Sequence, residues 1–378
     1  MPHRLKSPLL VASADLAVAR AAARLEKQVH KLWLLGRNII LGWHRAGTQL
    51  RLAYARNAEL SRIAADGRSL LFARLRRLDA PAFTALVQRF ELETATIDLN
   101  PALANDAQAD TIERIVALHS VAHETARPVA LVDIVGFSLL DPVDQLVQLN
   151  SLAYSLTMAE RRCRQLGLDV DIGQSTTGDG FYLWNRSADA DADAQLCVAL
   201  LMALSDNVIS ARREHRGATP RLRSAFAVGG YFRFLQAEAG GLASREYIVG
   251  ESTVALARLI AGAAPGQILL RAPADGAPGD DAVERLVGRI RATMDGLEAV
   301  PLNGVRLRGC AIYPTGRADE AGSFAIDRYQ VRDKHGLVHH AYNIKANLYP
   351  EDGEPIFLGI MHREIETIAR PRDVAAAS

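Results

Sequence analysis

Cysteine is scarce in this chain: three among 378 residues, Cys163, Cys197 and Cys310, with no CxxC pair. An odd, scattered set supports neither a disulfide framework nor a cysteine zinc site, and points to a reducing cytoplasm. Overall charge is nearly absent too, at +1. No run of about 20 predominantly apolar residues occurs; the most apolar early stretch, 32–43, is interrupted by Arg37 and Asn38. A membrane-spanning helix and a secretory signal are therefore not expected. The sequence contains no GxxxxGK[ST], no GxSxG and no HExxH, which leaves P-loop, lipase-like and zincin chemistries without support. What remains is 49% hydrophobic and 23% charged. That composition excludes collagen-like and wholly disordered classes, and the length suggests two domains with ample core material.

The near-neutral total hides an asymmetry. Between Arg4 and Arg77 basic residues outnumber acids roughly four to one, and Arg74, Arg76 and Arg77 are nearly consecutive. Apolar residues Leu25, Val29, Leu32, Trp33, Ile39, Ile40 and Trp43 recur mostly at three- and four-residue spacing, so residues 15–80 are predicted to be helical. Two readings fit a basic helical segment: contact with an anionic membrane surface or nucleic acid, or a helical bundle with a solvated basic face. The first adds peripheral membrane attachment to the expected cytoplasmic location. Residues 98–110 read as a linker, and 111–123 return to helical periodicity.

From Pro128 strands and helices alternate. Strands are predicted at 129–135, 170–174, 181–184, 222–235 and 267–270, with helices at 143–166, 192–213 and 252–261. The order implies an α/β fold, an α+β sandwich on a ferredoxin-like βαββαβ core. A tail with strands at 329–332, 341–346 and 356–360 follows, its first two strands joined by a hairpin turn at 333–336. The expected organisation is a basic helical region at 1–105, a connecting helix at 106–127, the α/β domain at 128–315 and a β-rich extension at 316–378.

Two acidic positions stand out. Asp133 ends a buried strand in Val132-Asp133-Ile134-Val135-Gly136-Phe137-Ser138, and Asp179 sits at a hairpin tip in Thr177-Gly178-Asp179-Gly180-Phe181. If their strands are neighbours the two carboxylates converge, an arrangement suited to Mg²⁺ bound with substrate phosphates. A turn role for each Asp is the alternative. His335, His339 and His340 cluster in the tail, but adjacent strand residues point to opposite faces and do not readily meet one metal.

These segments resemble the class III nucleotidyl cyclases, the adenylate and guanylate cyclase catalytic domain. That family's D-I-x-G-F-S strand is matched by Asp133 to Ser138, and its G-D-G hairpin by Gly178 to Gly180. Its third stretch, G-D-x-V-N-x-A-x-R-L then P-G-Q-I-L, is matched by Gly250 to Leu259 and Pro265 to Leu269. The likeness covers residues 128–314. It implies a cyclase that turns a nucleoside triphosphate into a 3′,5′-cyclic nucleotide and pyrophosphate, with two Mg²⁺ or Mn²⁺ ions per site. The resemblance implies Asp133, Ile134 and Asp179 as metal positions and Arg258 as the transition-state arginine. It further implies nucleotide contacts at Gly136, Phe137, Ser138, Ser175, Gly178, Tyr247 and Arg308, and a homodimer whose sites lie between two chains.

The chain departs from the family at three positions. Val254 replaces the transition-state Asn four residues before Arg258, and Ser175 and Tyr247 replace the adenine-reading Lys and Asp. Loss of one preorganised donor costs about 10²- to 10³-fold in rate. An atypical base, such as a pyrimidine, is one consequence; a degenerate module that only binds nucleotide or dimerises is the other.

Overall fold

The structure is a computed structural model that describes residues 8–64, 71–73, 75–187, 189–213, 219–237, 244–271, 279–295, 305–316, 326–332 and 336–369. The chain divides into two compact units. One comprises Met1–Thr125 and Tyr231–Ile248, the other Ala126–Gly230 and Val249–Ser378.

The first unit opens with helix α1 (Pro8–Trp33) and continues into an antiparallel sheet of β1 (Asn38–Ala46), β2 (Gln49–Arg56) and β3 (Glu93–Asp98). Helix α2 (Ala80–Phe90) precedes β3 and α3 (Ala109–Ala117) follows it. Leu25 and Val29 of α1, and Ile112 and Ile115 of α3, pack with Ile40, Trp43, Leu50 and Leu52 on one sheet face. Phe83, Leu86 and Phe90 of α2 pack with Ile39, Leu41, Ala53 and Ala55 on the other. The helical reading of 15–80 is thus corrected over β1 and β2. Its cause is a bulge between Ile40 and Gly42, which places Ile40 and Trp43 on one face at a three-residue step instead of two. The apolar spacing of this strand therefore imitates a helix.

The arginine run is not one exposed patch. Arg76 is buried, its guanidinium donating to the carbonyls of Leu71 and Val121, and burial pulls its pKa down to about 10. Arg77 pairs with Asp106 and lies over the Trp43 ring, while Arg74 falls outside the described residues. Glu113 ties the region together, accepting from the Trp43 indole at 2.6 Å and the Arg76 amide at 2.8 Å.

The predicted helix at 111–123 ends early, at Ala117. The Ser120 hydroxyl donates to the Val116 carbonyl, and His119 Nδ1 bonds that of Ile115 at 3.0 Å, closing the last turn. The chain from Val121 is already strand. Burial pulls the His119 imidazole below its ordinary 6.5. The unfolded chain therefore takes the proton first, and stability of this unit is expected to fall as pH drops through that ordinary value toward the lower folded one. Urea midpoints at pH 7.5 and 5.5 check this; His119→Gln should flatten the dependence.

The remaining strands form one sheet in the order β10-β12-β9-β7-β4-β6-β5. They are β4 (Val121–Ile134), β5 (Ile172–Thr176), β6 (Gly180–Asn185), β7 (Leu222–Ala237), β8 (Ser244–Val249), β9 (Ile268–Arg271), β10 (Leu307–Thr315), β11 (Arg328–Arg332), β12 (Val338–Pro350) and β13 (Ile356–Leu358). β8 pairs with β7, and β11 and β13 pair with β12. The helices are α4 (Pro142–Gln165), α5 (Ala192–Arg213), α6 (Glu251–Ala261), α7 (Gly279–Asp295) and α8 (His362–Ala369). The mixed α+β class and the βαββαβ order are as expected. The tail strand β12 runs beside β9 as part of the same sheet. The hairpin turn placed at 333–336 falls largely outside the described residues, as does His335.

Helix α4 starts where Asp141 caps it, accepting from the amides of Val143 and Asp144, with Pro142 at the first position. Helix α5 is the central core helix. It is long and apolar enough to cross a membrane by composition, which the sequence reading passed over, yet most of it is buried within the fold.

Candidate active site

The buried run Val129 to Val132 carries β4 through the sheet and delivers Asp133 to its end. The hairpin of β5 and β6 delivers Asp179. β6 runs antiparallel to β4, with Val132 opposite Phe181 and Asp133 opposite Gly180. The Ile134 amide donates to the Asp179 carbonyl at 2.9 Å, so the hairpin tip is locked against the strand end. Gly178, with φ of +104°, makes the tip, and the Thr177 hydroxyl donates to Asp179 Oδ1 at 3.1 Å.

Gly180 is needed for this approach, because a Cβ added there would run into the Val132 carbonyl oxygen. Gly180→Val should force the hairpin off β4. The expected cost is about 1–3 kcal/mol in urea unfolding, with loss of any activity that needs both carboxylates.

The two aspartates interact. Burial pushes the Asp133 carboxyl above its ordinary range, Arg223 pulls it down, and the neighbouring Asp179 carboxylate pushes it up again. Arg223, near the start of β7, donates from Nε to Asp133 Oδ2 at 2.6 Å and from a terminal nitrogen to the Ala263 carbonyl at 3.3 Å. The sequence reading missed Arg223. Its position one residue into the predicted strand at 222–235 was the available signal, but nothing local ties it to Asp133.

Beyond Asp133 the chain turns at Gly136, whose φ of +75° lies in the left-handed region, into a single turn at Phe137–Leu139. Phe137 packs on the core, while Ser138 is exposed. The Gln145 side chain donates to the carbonyls of Phe137 and Leu140, fixing this loop to α4.

Helix α6 carries Arg258. Its inner face holds Ser252, Thr253, Leu256 and Leu259; Val254 and Arg258, four apart, share the outer one. Tyr182 of β6 anchors this helix by donating to the Thr253 carbonyl at 2.9 Å. Ser175 lies opposite Tyr182 on β5. The groups acting on Asp133 are Arg223 and Asp179, and Arg258 is not among them.

Tyr247 belongs to the first unit, where its ring stacks on Phe234 at 5.4 Å. Arg308 is exposed at a bulge of β10. That strand lies four places from β4 in the sheet, about 19 Å at the usual strand spacing, so one chain does not bring it to the aspartates. Among the described residues no group of three or more His, Cys, Asp or Glu could hold a metal.

No family model and no curated protein matches the chain. Similar solved structures are cyclase domains. The guanylate cyclase domain of RhGC from Catenaria anguillulae, in complex with GTP, is 12% identical with a TM-score of 0.35, covering 59% of this chain and 97% of that one. The adenylyl cyclase CyaB from P. aeruginosa is 14% identical with a TM-score of 0.35, covering 62% and 97%. A dimeric guanylyl cyclase domain of RhoGC from Blastocladiella emersonii is 12% identical with a TM-score of 0.36, covering 59% and 97%.

Proposed function

We propose that the chain is a metal-dependent nucleotidyl cyclase acting on a nucleoside triphosphate. The observation that carries this is the pairing of Asp133 and Asp179 at adjacent strand ends, with the three cyclase-like motifs in order around them. Two hard carboxylates, with Asp133 raised first by burial and further by Asp179, fit a divalent cation. Asp133, Asp179 and Ile134 would hold Mg²⁺ or Mn²⁺. Such ions, when bound, lower the pKa of the ribose 3′-hydroxyl and neutralise triphosphate charge.

The chain's own groups do the rest. Gly136, lacking a side chain at a left-handed turn, lets phosphate oxygens approach the backbone at Phe137 and Ser138. Arg223 keeps positive charge beside the aspartates. Arg258, from a second copy, meets the charge that grows on the α-phosphate. The 3′-oxygen forms a bond to the α-phosphorus, the bond to the β-phosphate oxygen breaks, pyrophosphate leaves with the electron pair, and the hydroxyl proton passes to solvent.

A homodimer completes the site in this reading. It is supported by an apolar stripe beside the Asp133 loop: Leu139, Val143, Leu146 and Tyr154 are 67–88% exposed. Val254 favours a second reading, a nucleotide-binding module without turnover, because it is an exposed side chain with no hydrogen-bonding group where the family has Asn.

The test incubates the full chain with ATP, GTP, CTP and UTP separately, with Mg²⁺ or Mn²⁺, and identifies products by mass spectrometry. A cyclic nucleotide supports the enzyme and names its base. Binding of a triphosphate without product supports the second reading.

A further inference from the structure

Helix α1 has two unlike faces. Ala21, Ala22, Leu25 and Val29 are buried in the core of the first unit. Arg20, Arg24, Lys27 and Lys31 are all exposed. At about 3.6 residues per turn, their steps of four, three and four residues keep them within an arc of about 60°. A rise of about 1.5 Å per residue spreads them over about 17 Å. They form one straight row on the side of the helix away from the core.

Among the described residues no ion pair or hydrogen bond holds any of the four. Glu26, the acid between Leu16 and Trp33, is half-buried on the flank of the row. Helix α3 packs on the same sheet face and adds an exposed Arg114 against an exposed Asp110. Other arginines of this unit are matched: Arg45 and Arg77 with Asp106, and Arg56 with Glu93. Like charges at neighbouring helix positions destabilise the helix. The row therefore does nothing for the fold, and its field favours an external anion.

Leucines bracket the row. Leu16, one turn before Arg20 and in line with the cations, is 52% exposed, and Leu34, just past the helix, is 54% exposed. A lipid headgroup layer has a place for both elements, anionic groups for the cations and the acyl boundary for the leucines. Nucleic acid offers an exposed leucine no such place. Its single strands are held by aromatic stacking, and no Phe, Tyr or Trp stands among the four cations.

We propose that this face of α1 docks the protein on an anionic lipid bilayer. The cations meet the headgroups, Leu16 and Leu34 dip between them, and the apolar face of the helix stays in the core of its unit. Attachment is thus electrostatic and reversible. It rests on the first unit alone and does not depend on the aspartate site.

Co-sedimentation of the full chain with vesicles tests this, using phosphatidylcholine alone and phosphatidylcholine with about 30% phosphatidylserine. The protein should pellet with the anionic vesicles only, and be released at about 0.5 M salt, where screening shortens to about 4 Å. Lys27→Gln with Lys31→Gln should weaken binding about 25-fold, about fivefold per charge. Leu16→Ser should weaken it about threefold or more. Arg89→Gln, exposed on α2 at the opposite sheet face, should leave it unchanged. All these positions are exposed, so the thermal melts should not move. Failure to pellet, equal pelleting with both vesicles, or no effect of the double lysine variant would overturn the proposal. So would tighter binding of a fluorescein-labelled oligonucleotide that Leu16→Ser leaves intact, which would assign the row to nucleic acid.

Discussion

Replacing Asp133 with Asn is expected to lower cyclic-nucleotide formation by at least about 10³-fold, the several kcal/mol of charge stabilisation that depend on a carboxylate ligand. The same substitution should leave the melting temperature nearly unchanged. Asn has the shape of Asp and still offers an oxygen to Arg223 Nε. Burial and the Asp179 carboxylate both work against the charged form of Asp133, so a neutral side chain relieves part of what the fold bears there. The reading would be separated from a folding defect by measuring product by mass spectrometry and the thermal melt on one preparation. A variant that keeps a tenth of the activity would remove Asp133 from the metal site.

The aspartate pair was legible in the sequence because both residues sit where local pattern is strongest. A run of buried β-formers ends at Asp133, and glycines flank Asp179 at a turn. Only their convergence depended on which strands pair, and that follows from the βαββαβ order. Arg223 was not legible, since its partner lies 90 residues away and an arginine opening a strand is ordinary. β1 was misread because its bulge gives a strand the spacing of a helix. Helix α7 is a different case. Val283, Leu286, Val287, Ile290 and Met294 are buried at helical spacing, so the signal was present in a stretch the motifs did not draw attention to.

Mixing two inactive variants should restore activity. If Asp133 and Asp179 act with Arg258 of the other chain, Asp133→Ala and Arg258→Ala homodimers each have two broken sites. A mixed dimer gathers both substitutions into one site and leaves the other whole. With random exchange half of the dimers are mixed and each has one working site, so about a quarter of wild-type activity should return. Arg258 is not among the groups that act on Asp133 within one chain, as a shared site requires. The exposed stripe of Leu139, Val143 and Leu146 offers the contact surface, and adding Leu146→Glu to both variants should abolish the recovery by burying an unpaired charge. Recovery without the charge and loss with it would tie the chemistry to that helix face. If the mixture stays inactive while each variant still dimerises by sedimentation, Arg258 acts within its own chain or not at all.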